Sequence, residues 1–381
     1  MKNYRRYGFI YWLLKKLSGP FIKYFMNYSA KTENGPLAPT IIIANHNTNL
    51  DPVLVALSFS RHMFFLASEH TFRKGLLSRL LLSLCAPIPI NKSRDDISAI
   101  KEMLKRIKAG SSICFFAEGN RSFTGVTWPI VPATAKLVKT AGVDLITFRL
   151  EGGYFSSPRW AKYKRKGKIT GTIVGRYTAE SLKSLSNEDV LHIIERDIYE
   201  DAYEKQKNEM CIYRGKNLAE HLETALYLCP ACHRIGTLYS QGAELFCACG
   251  LKATYSETGF LTGEALPFST ITAWALWQYV YLPTIILSAG EQEICADEEQ
   301  LLFKVVVAKK AIFMAKGKMY ICKDNFYCAG NEFPLHKITR FAIVDQMTLL
   351  FSLKEGTCYE IRSMTPRSAL KYLEIFNYLR N

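Results

Sequence analysis

The feature that most restricts the fold of this chain is a pair of short apolar runs that each end in a polar cluster. Thr40–Ala44 (TIIIA) is β-branched through its middle, as a strand buried on both faces should be. It ends in Asn45-His46-Asn47-Thr48-Asn49-Leu50-Asp51, and Pro52 with the VLVALSF that follows reads as the first turns of a helix with Asp51 as its N-cap. Ser111–Ala117 (SSICFFA) is a second such strand and ends in Glu118-Gly119-Asn120-Arg121-Ser122. Alternating strands and helices specify an α/β domain. Ligands of open α/β sheets bind outside the carboxyl ends of the strands, so the two clusters can converge on one site.

Their side chains suit proton transfer next to an anion. A neutral His46 can take a proton from a hydroxyl if a carboxylate, here Asp51, holds its other ring nitrogen and stabilises the imidazolium. On an ideal helix positions five apart diverge by roughly 140°, so the pair can meet only across a turn. The bland alternative is that Asp51 merely caps a helix and His46 is a polar loop residue. Gly119 permits close backbone approach, and Arg121 offers a bidentate fork for phosphate. No Ser or Cys lies in a GxSxG elbow, which favours direct attack by a substrate alcohol over a covalent enzyme intermediate.

These residues carry a family resemblance. Asn45-His46 with Asp51 beyond four intervening residues, then Phe116-Ala117-Glu118-Gly119-Asn120-Arg121-Ser122, resembles the lysophosphatidic acid acyltransferase family, glycerolipid acyltransferases with the His-x4-Asp motif. Ala117 and Asn120 stand where the family has Pro and Thr. The second family motif corresponds to Ile90-Asn91-Lys92 with Arg94 two positions on, and the fourth to Leu145–Gly152, with Thr147 in place of Pro and an additional charge at Arg149. The resemblance spans residues 8–207 and implies an α/β fold, a glycerolipid-acyltransferase-type sheet flanked by helices. It further implies acyl transfer from coenzyme A or acyl carrier protein to a lysophospholipid hydroxyl, in phospholipid biosynthesis. In that reading His46 is the general base and Asp51 its orienter. Asn45, Lys92, Arg94, Glu118, Gly119, Asn120, Arg121, Ser122 and Arg149 would then serve the acceptor. Asp96–Ala109 reads as an amphipathic helix and Ser186–Lys207 as one closing helix.

Charge narrows the partner. The 381 residues hold 49 Lys and Arg against 34 Asp and Glu, a net +15. Residues 1–150 alone contribute +13 and 301–381 contribute +7, while 251–300 are acidic. Phospholipid surfaces and phosphate-bearing substrates fit this distribution, and nucleic acid is not expected, because residues 216–262 are not basic. At the N-terminus Phe9, Ile10, Leu13 and Leu17 recur at helical spacing, and a second short helix is expected after Pro20 with Phe21, Ile22, Tyr24 and Phe25 beside Lys23. Such segments suit the headgroup boundary, although they could instead pack on their own domain. The uncharged stretch Ala265–Gly290 contains Gln278 and Pro283 and reads as a buried helix followed by a strand, with membrane entry the alternative. The basic run 159–168 (RWAKYKRKGK) reads as a solvated loop or as a contact for anionic lipid or donor phosphate.

Eleven cysteines, four of them in two tight pairs, do not look like a disulfide framework. Cys229-Pro-Ala-Cys232 and Cys247-Ala-Cys249 are spaced for a closed tetrahedral zinc site of structural type, with a hairpin between them. Beyond Glu291, many short strands and a terminal helix capped by Thr365 and stripe-forming at Ala369, Tyr372, Leu373, Phe376 and Leu379 resemble a pleckstrin-homology-like module. The expected organisation is amphipathic membrane-associating helices over 1–28, an acyltransferase domain over 29–215, a zinc ribbon over 216–262 and a β-rich module over 263–381. Such a chain is expected at the cytoplasmic face of the cell membrane, peripheral or shallowly inserted. The alternatives are a non-catalytic zinc-ribbon binding protein on an acyltransferase fold, and an acyltransferase of a non-lipid acceptor.

Overall fold

The computed structural model describes residues 5–31, 38–69, 80, 83–90, 97–306 and 310–380. It divides into two compact units, Met1–Pro158 with Arg165–Arg214, and Arg159–Lys164 with Gly215–Asn381.

The first unit opens with helix α1 (Arg5–Phe25) and strands β1 (Tyr28–Ala30) and β2 (Thr40–Ala44). Helix α2 (Asp51–Ser58), strands β3 (Met63–Ser68) and β4 (Ile88–Ile90), helix α3 (Ile97–Lys108) and strand β5 (Ser112–Phe116) follow. Then come α4 (Ala133–Ala141), β6 (Asp144–Glu151), the single turn α5 (Gly153–Ser156), β7 (Ile169–Tyr177), α6 (Ala179–Ser184), α7 (Asn187–Ile198) and α8 (Ala202–Glu209). The sheet order is β1-β7-β6-β2-β5-β3-β4. All neighbours are parallel except β6 and β7. This is the α/β architecture that the alternating runs require.

Period-two alternation explains why TIIIA is apolar throughout. Ile41 and Ile43 join one core with Met103, Ile107, Val138, Val190 and Ile194, while Ile42 and Ala44 join the other with Leu54, Val55, Phe148 and Leu150. β2 is therefore covered on both faces, between β5 and β6. Its carboxyl end lies beside theirs.

Two helices depart from expectation. α1 runs unbroken through Pro20, which lacks only the one N–H that a helix interior would use. It docks by one side: the Tyr11 hydroxyl donates to Phe59 O at 2.9 Å and to Ala56 O, and Ile22 packs on the core. The other side leaves Phe9, Trp12, Leu13, Leu17, Phe21, Tyr24 and Phe25 exposed, Leu17 and Tyr24 by more than 70%. The closing helix is two helices, α7 with a Ser186–Asp189 capping box and α8 capped by Asp201. The break at Tyr199–Asp201 turns Glu200 inward.

In the second unit, β8 (Leu238–Gln241), β9 (Glu244–Cys247), β10 (Lys252–Tyr255) and β11 (Leu261–Thr262) form a four-stranded sheet. Helix α9 (Ile271–Ala289) follows as one continuous helix, so the strand expected in its second half is absent. Gln278, far from opposing burial, is its polar clamp: its carbonyl accepts from Tyr227 N at 3.2 Å and its amide donates to Ala225 O at 2.9 Å. The remaining strands are β12 (Cys295–Val306), β13 (Lys310–Ile321), β14 (Asn325–Cys328), β15 (Asn331–Pro334), β16 (Ile338–Val344), β17 (Thr348–Leu353) and β18 (Cys358–Arg362). They form a second antiparallel sheet in the order β15-β14-β13-β12-β18-β17-β16. Helix α10 (Ala369–Arg380) ends the chain's described part; Ser368, not Thr365, lies at its start and accepts from Lys371 N. The head of the basic run is neither solvated nor ligand-facing. Arg159 is buried and donates to Ile343 O and Asp345 O at 2.9 Å, and Trp160 packs edge-on to Tyr255. Among the described residues, no helix is long and apolar enough to cross a membrane.

Candidate active site

The chain leaves β2 in a loop whose hydrogen bonds turn inward. Asp51 is fully buried, and its Oδ2 accepts from the Asn47 and Thr48 backbone N–H groups at 2.6 and 2.8 Å and pairs with His46 Nδ1 at 2.8 Å. Its Oδ1 accepts from the Thr48 hydroxyl at 2.6 Å. Asp51 is thus not the N-cap expected of it. It is the first residue of α2, and its carboxylate folds back over the preceding loop to make the turn that brings His46 to it.

An ionised carboxylate can only accept, so with Asp51 ionised the His46 proton sits on Nδ1 and the ring's lone pair on Nε2. The His46 side chain is 18% exposed while that of Asp51 is wholly covered, and the imidazole stacks on Phe116 at 4.2 Å. Such a geometry is chemically able to serve as a base with an orienting carboxylate.

The turn after β5 holds the same loop from the other side. Glu118 accepts from His46 N at 2.6 Å through one oxygen and from Trp128 N at 2.7 Å through the other. Burial pushes its carboxyl well above the ordinary carboxylate range. Ser122 N donates to His46 O at 3.0 Å, and its hydroxyl bonds Val126 O and Gly125 N within the turn. Gly119 has φ +68°, with open space where a side chain would begin. Asn120 is half-buried and Arg121 buried on this turn.

Other expected site residues are placed differently. Asn45 is buried, donates to Leu150 O at 2.7 Å and accepts from Leu150 N at 2.7 Å, so it bridges β2 to β6. Arg149 lies on the outward side of β6 against Glu151 and Tyr199 O. Lys92 and Arg94 lie outside the described residues.

One important residue escaped sequence reasoning. Glu200 is buried beneath the loop, and accepts from Asn45 Nδ2 at 2.9 Å, from Asn47 Nδ2 and from Gly152 N at 3.2 Å. Burial pushes its carboxyl up to about 8. The sequence carried no signal for it, because 186–207 reads as one helix with Glu200 in its interior. Cys114, at the centre of β5, is buried, and burial pushes its thiol well above its ordinary value.

In the second unit the β8–β9 hairpin brings the two cysteine pairs together. Sγ atoms of Cys229 and Cys249, and of Cys232 and Cys247, are 3.7 Å apart, and all four lie within 4.8 Å of one another. A tetrahedron with metal–sulfur bonds of ~2.3 Å has edges of about 3.8 Å, so the cluster fits one zinc ion with no ligand position left open.

The family match to known proteins falls within the first unit. Residues 28–151 match the family model described as Acyltransferase. Over 122 residues the chain is 26% identical to the probable 1-acyl-sn-glycerol-3-phosphate acyltransferase of Mycoplasma genitalium, covering 31% of this chain and 46% of that protein. A chloroplastic 1-acyl-sn-glycerol-3-phosphate acyltransferase of Brassica napus is 24% identical over 116 residues, 30% of this chain and 33% of its own length. The chain therefore spans less than half the length of these relatives. The crystal structure of the 1-acyl-sn-glycerophosphate acyltransferase PlsC from Thermotoga maritima aligns with a TM-score of 0.40 at 17% identity, over 55% of this chain and 99% of that one. The acyltransferase-like segment, 28–151, is the segment that contains the His46 loop, Asp51 and the Glu118 turn.

Proposed function

We propose that this chain is an acyltransferase that moves a fatty acyl group from coenzyme A or acyl carrier protein to the hydroxyl of a lysophospholipid of the 1-acylglycerol-3-phosphate type, in phospholipid biosynthesis. The observation that carries the reading is the buried Asp51 carboxylate held on His46 Nδ1 at 2.8 Å, which puts the lone pair of a base on Nε2. His46 Nε2 takes the proton of the acceptor hydroxyl as its oxygen attacks the thioester carbonyl. Collapse of the tetrahedral intermediate breaks the carbon–sulfur bond, and the departing thiolate takes the proton from the imidazolium. Asp51 stabilises the imidazolium in between.

Glu118, Ser122 and Asn45 hold the His46 loop by its backbone and neighbouring strand, and Glu200 supports it from below. Arg121 and Asn120, with Gly119 between β5 and them, are the groups on this turn suited to the acceptor's phosphate, together with Lys92 and Arg94. The exposed apolar side of α1, interleaved with Lys16 and Lys23, suits a peripheral seat on an anionic membrane at its cytoplasmic face. The four cysteines hold a structural Zn²⁺, and the strands beyond form a pleckstrin-homology-like module.

The test is a panel of lysolipid acceptors offered with both thioester types, comparing the wild type with His46→Ala. A general base is worth roughly 10²- to 10⁴-fold, so the variant should lose nearly all turnover while melting normally. Absence of His46-dependent product from every lysolipid would redirect the assignment to a non-lipid acceptor or a non-catalytic role.

A further inference from the structure

The β12–β13 hairpin is flanked unequally by its neighbouring strands. β18 pairs with β12 only over Leu301–Val305, and β14 pairs with β13 only over Met319–Ile321. Among the described strands, β18 therefore flanks β12 to within one residue of its end, whereas the distal part of β13 has no strand beside its outer edge. Ile312, Phe313 and Met314 are three consecutive exposed apolar residues, at 51%, 55% and 41%, and Val306 on the facing strand is 45% exposed. Soluble surfaces rarely leave such a run open without a partner.

Register shows what the partner's chemistry must be. Lys304 stands opposite Ile312, so a lysine and an aliphatic residue are neighbours across the pair on one face. A register shift between Leu302 and Phe303 adds Met314 as an extra, unpaired residue. On the other face Phe303 and Phe313 meet edge-on at 5.7 Å, with the Arg362 guanidinium 4.2 Å above Phe303. Residues 301–315 are twelve apolar residues and three lysines, without an acid. On the hairpin's own strands acids appear only at the base, where Glu299 pairs with Lys316 at 2.9 Å and Glu293 with Lys318 at 2.6 Å, while on β18 the buried Glu360 beside Phe303 is paired with Arg362 at 2.6 Å.

We propose that the distal half of this hairpin is a second lipid-docking surface, specific for anionic bilayers. Phe313, Ile312, Met314 and Val306 enter the acyl boundary while Lys304 reaches back to the headgroup phosphates. A protein partner would require complementary polar groups, and the hairpin end offers none besides its cations. The register shift also makes the free β13 edge a poor template for strand addition. The inference rests on the membrane-surface reading given above and extends it to a module with no part in the chemistry.

Vesicles of phosphatidylcholine with and without phosphatidylglycerol, mixed with the full chain, test it. Each lysine near an anionic surface contributes about fivefold in affinity, so Lys304→Glu, a change of two charges, should weaken binding to phosphatidylglycerol vesicles about 25-fold. Ile312→Ser with Phe313→Ser should weaken it at least about tenfold. Phe313→Trp should show quenching by bromine-labelled acyl chains beyond that of the wild type, a readout local to the hairpin and independent of α1. His46-dependent turnover of a detergent-dispersed acceptor should be unchanged in all three, so that failure of the catalytic reading and failure of this one remain distinguishable. Wild-type vesicle affinity in the variants, no added quenching at position 313, or loss of a dimer in light scattering on mutating the hairpin would each overturn it; the last would make the face a protein interface.

Discussion

Asp51→Asn separates charge from geometry at the candidate site. An amide oxygen in the Oδ2 position can still accept from His46 Nδ1, Asn47 N and Thr48 N, and the amide nitrogen can donate to the Thr48 oxygen, so the loop should keep its shape. The three converging bonds fall from charge-assisted, about 1.5–3 kcal/mol each, to neutral, about 0.5–1.5, which costs about 3 kcal/mol of stability. A domain stable by about 5–15 kcal/mol tolerates that. The rate should suffer more. An imidazolium about 4 Å from a carboxylate gains about 4 kcal/mol at an effective dielectric of about 20, and losing it slows turnover by about three orders of magnitude. The assay is release of free thiol from an acyl thioester in the presence of lysophosphatidate, normalised to folded protein by near-ultraviolet circular dichroism. A folded Asp51→Asn enzyme within tenfold of the wild-type rate would refute the general-base assignment, because nothing else then distinguishes His46 from a polar loop residue.

Two further outcomes follow from the buried groups. Because the Glu200 carboxyl is raised from its ordinary 4.5 to about 8, its proton favours the fold: its contribution is complete below about 4.5 and is lost as pH climbs to about 8. Glu200→Gln should therefore flatten part of the decline in stability between those values, measured by urea unfolding across pH, and an unchanged slope would show that the carboxyl titrates normally. Cys247→Ser should reduce bound metal from one zinc per chain and lower the melting of the second unit, read by metal analysis and calorimetry, while turnover of a dispersed acceptor by the first unit persists. Full metal retention in that variant would remove Cys247 from the ligand set.

Local chemistry makes the two halves of the site legible in the sequence. TIIIA and SSICFFA are strands because only a strand covered on both faces is uniformly apolar, and polar residues after parallel strands collect at one sheet edge. The cysteine pairs are legible for a similar reason, since metal-ligand spacing is a local property. What surrounds His46 is not. Asp51 reads as a cap from its place before a helix, whereas its carboxylate serves the preceding loop. Glu200 lies 154 residues from His46 and reaches the loop only because α7 and α8 break at Tyr199–Asp201 and the chain folds back beneath β2.

The same division holds for the whole molecule. Sequence by itself determined the α/β class, the His46–Asp51 and Glu118–Arg121 groups, the four-cysteine cluster and the basic, apolar character of the N-terminus, since each depends on residues within a few turns or strands of one another. Tertiary structure alone decided that α1 keeps an apolar side exposed, that Gln278 clamps a continuous helix, that Arg159 and Trp160 are buried staples and that the distal part of β13 keeps an apolar run exposed. Exposure and long-range pairing are properties of what the rest of the chain packs against, and amphipathic patterns are silent about that.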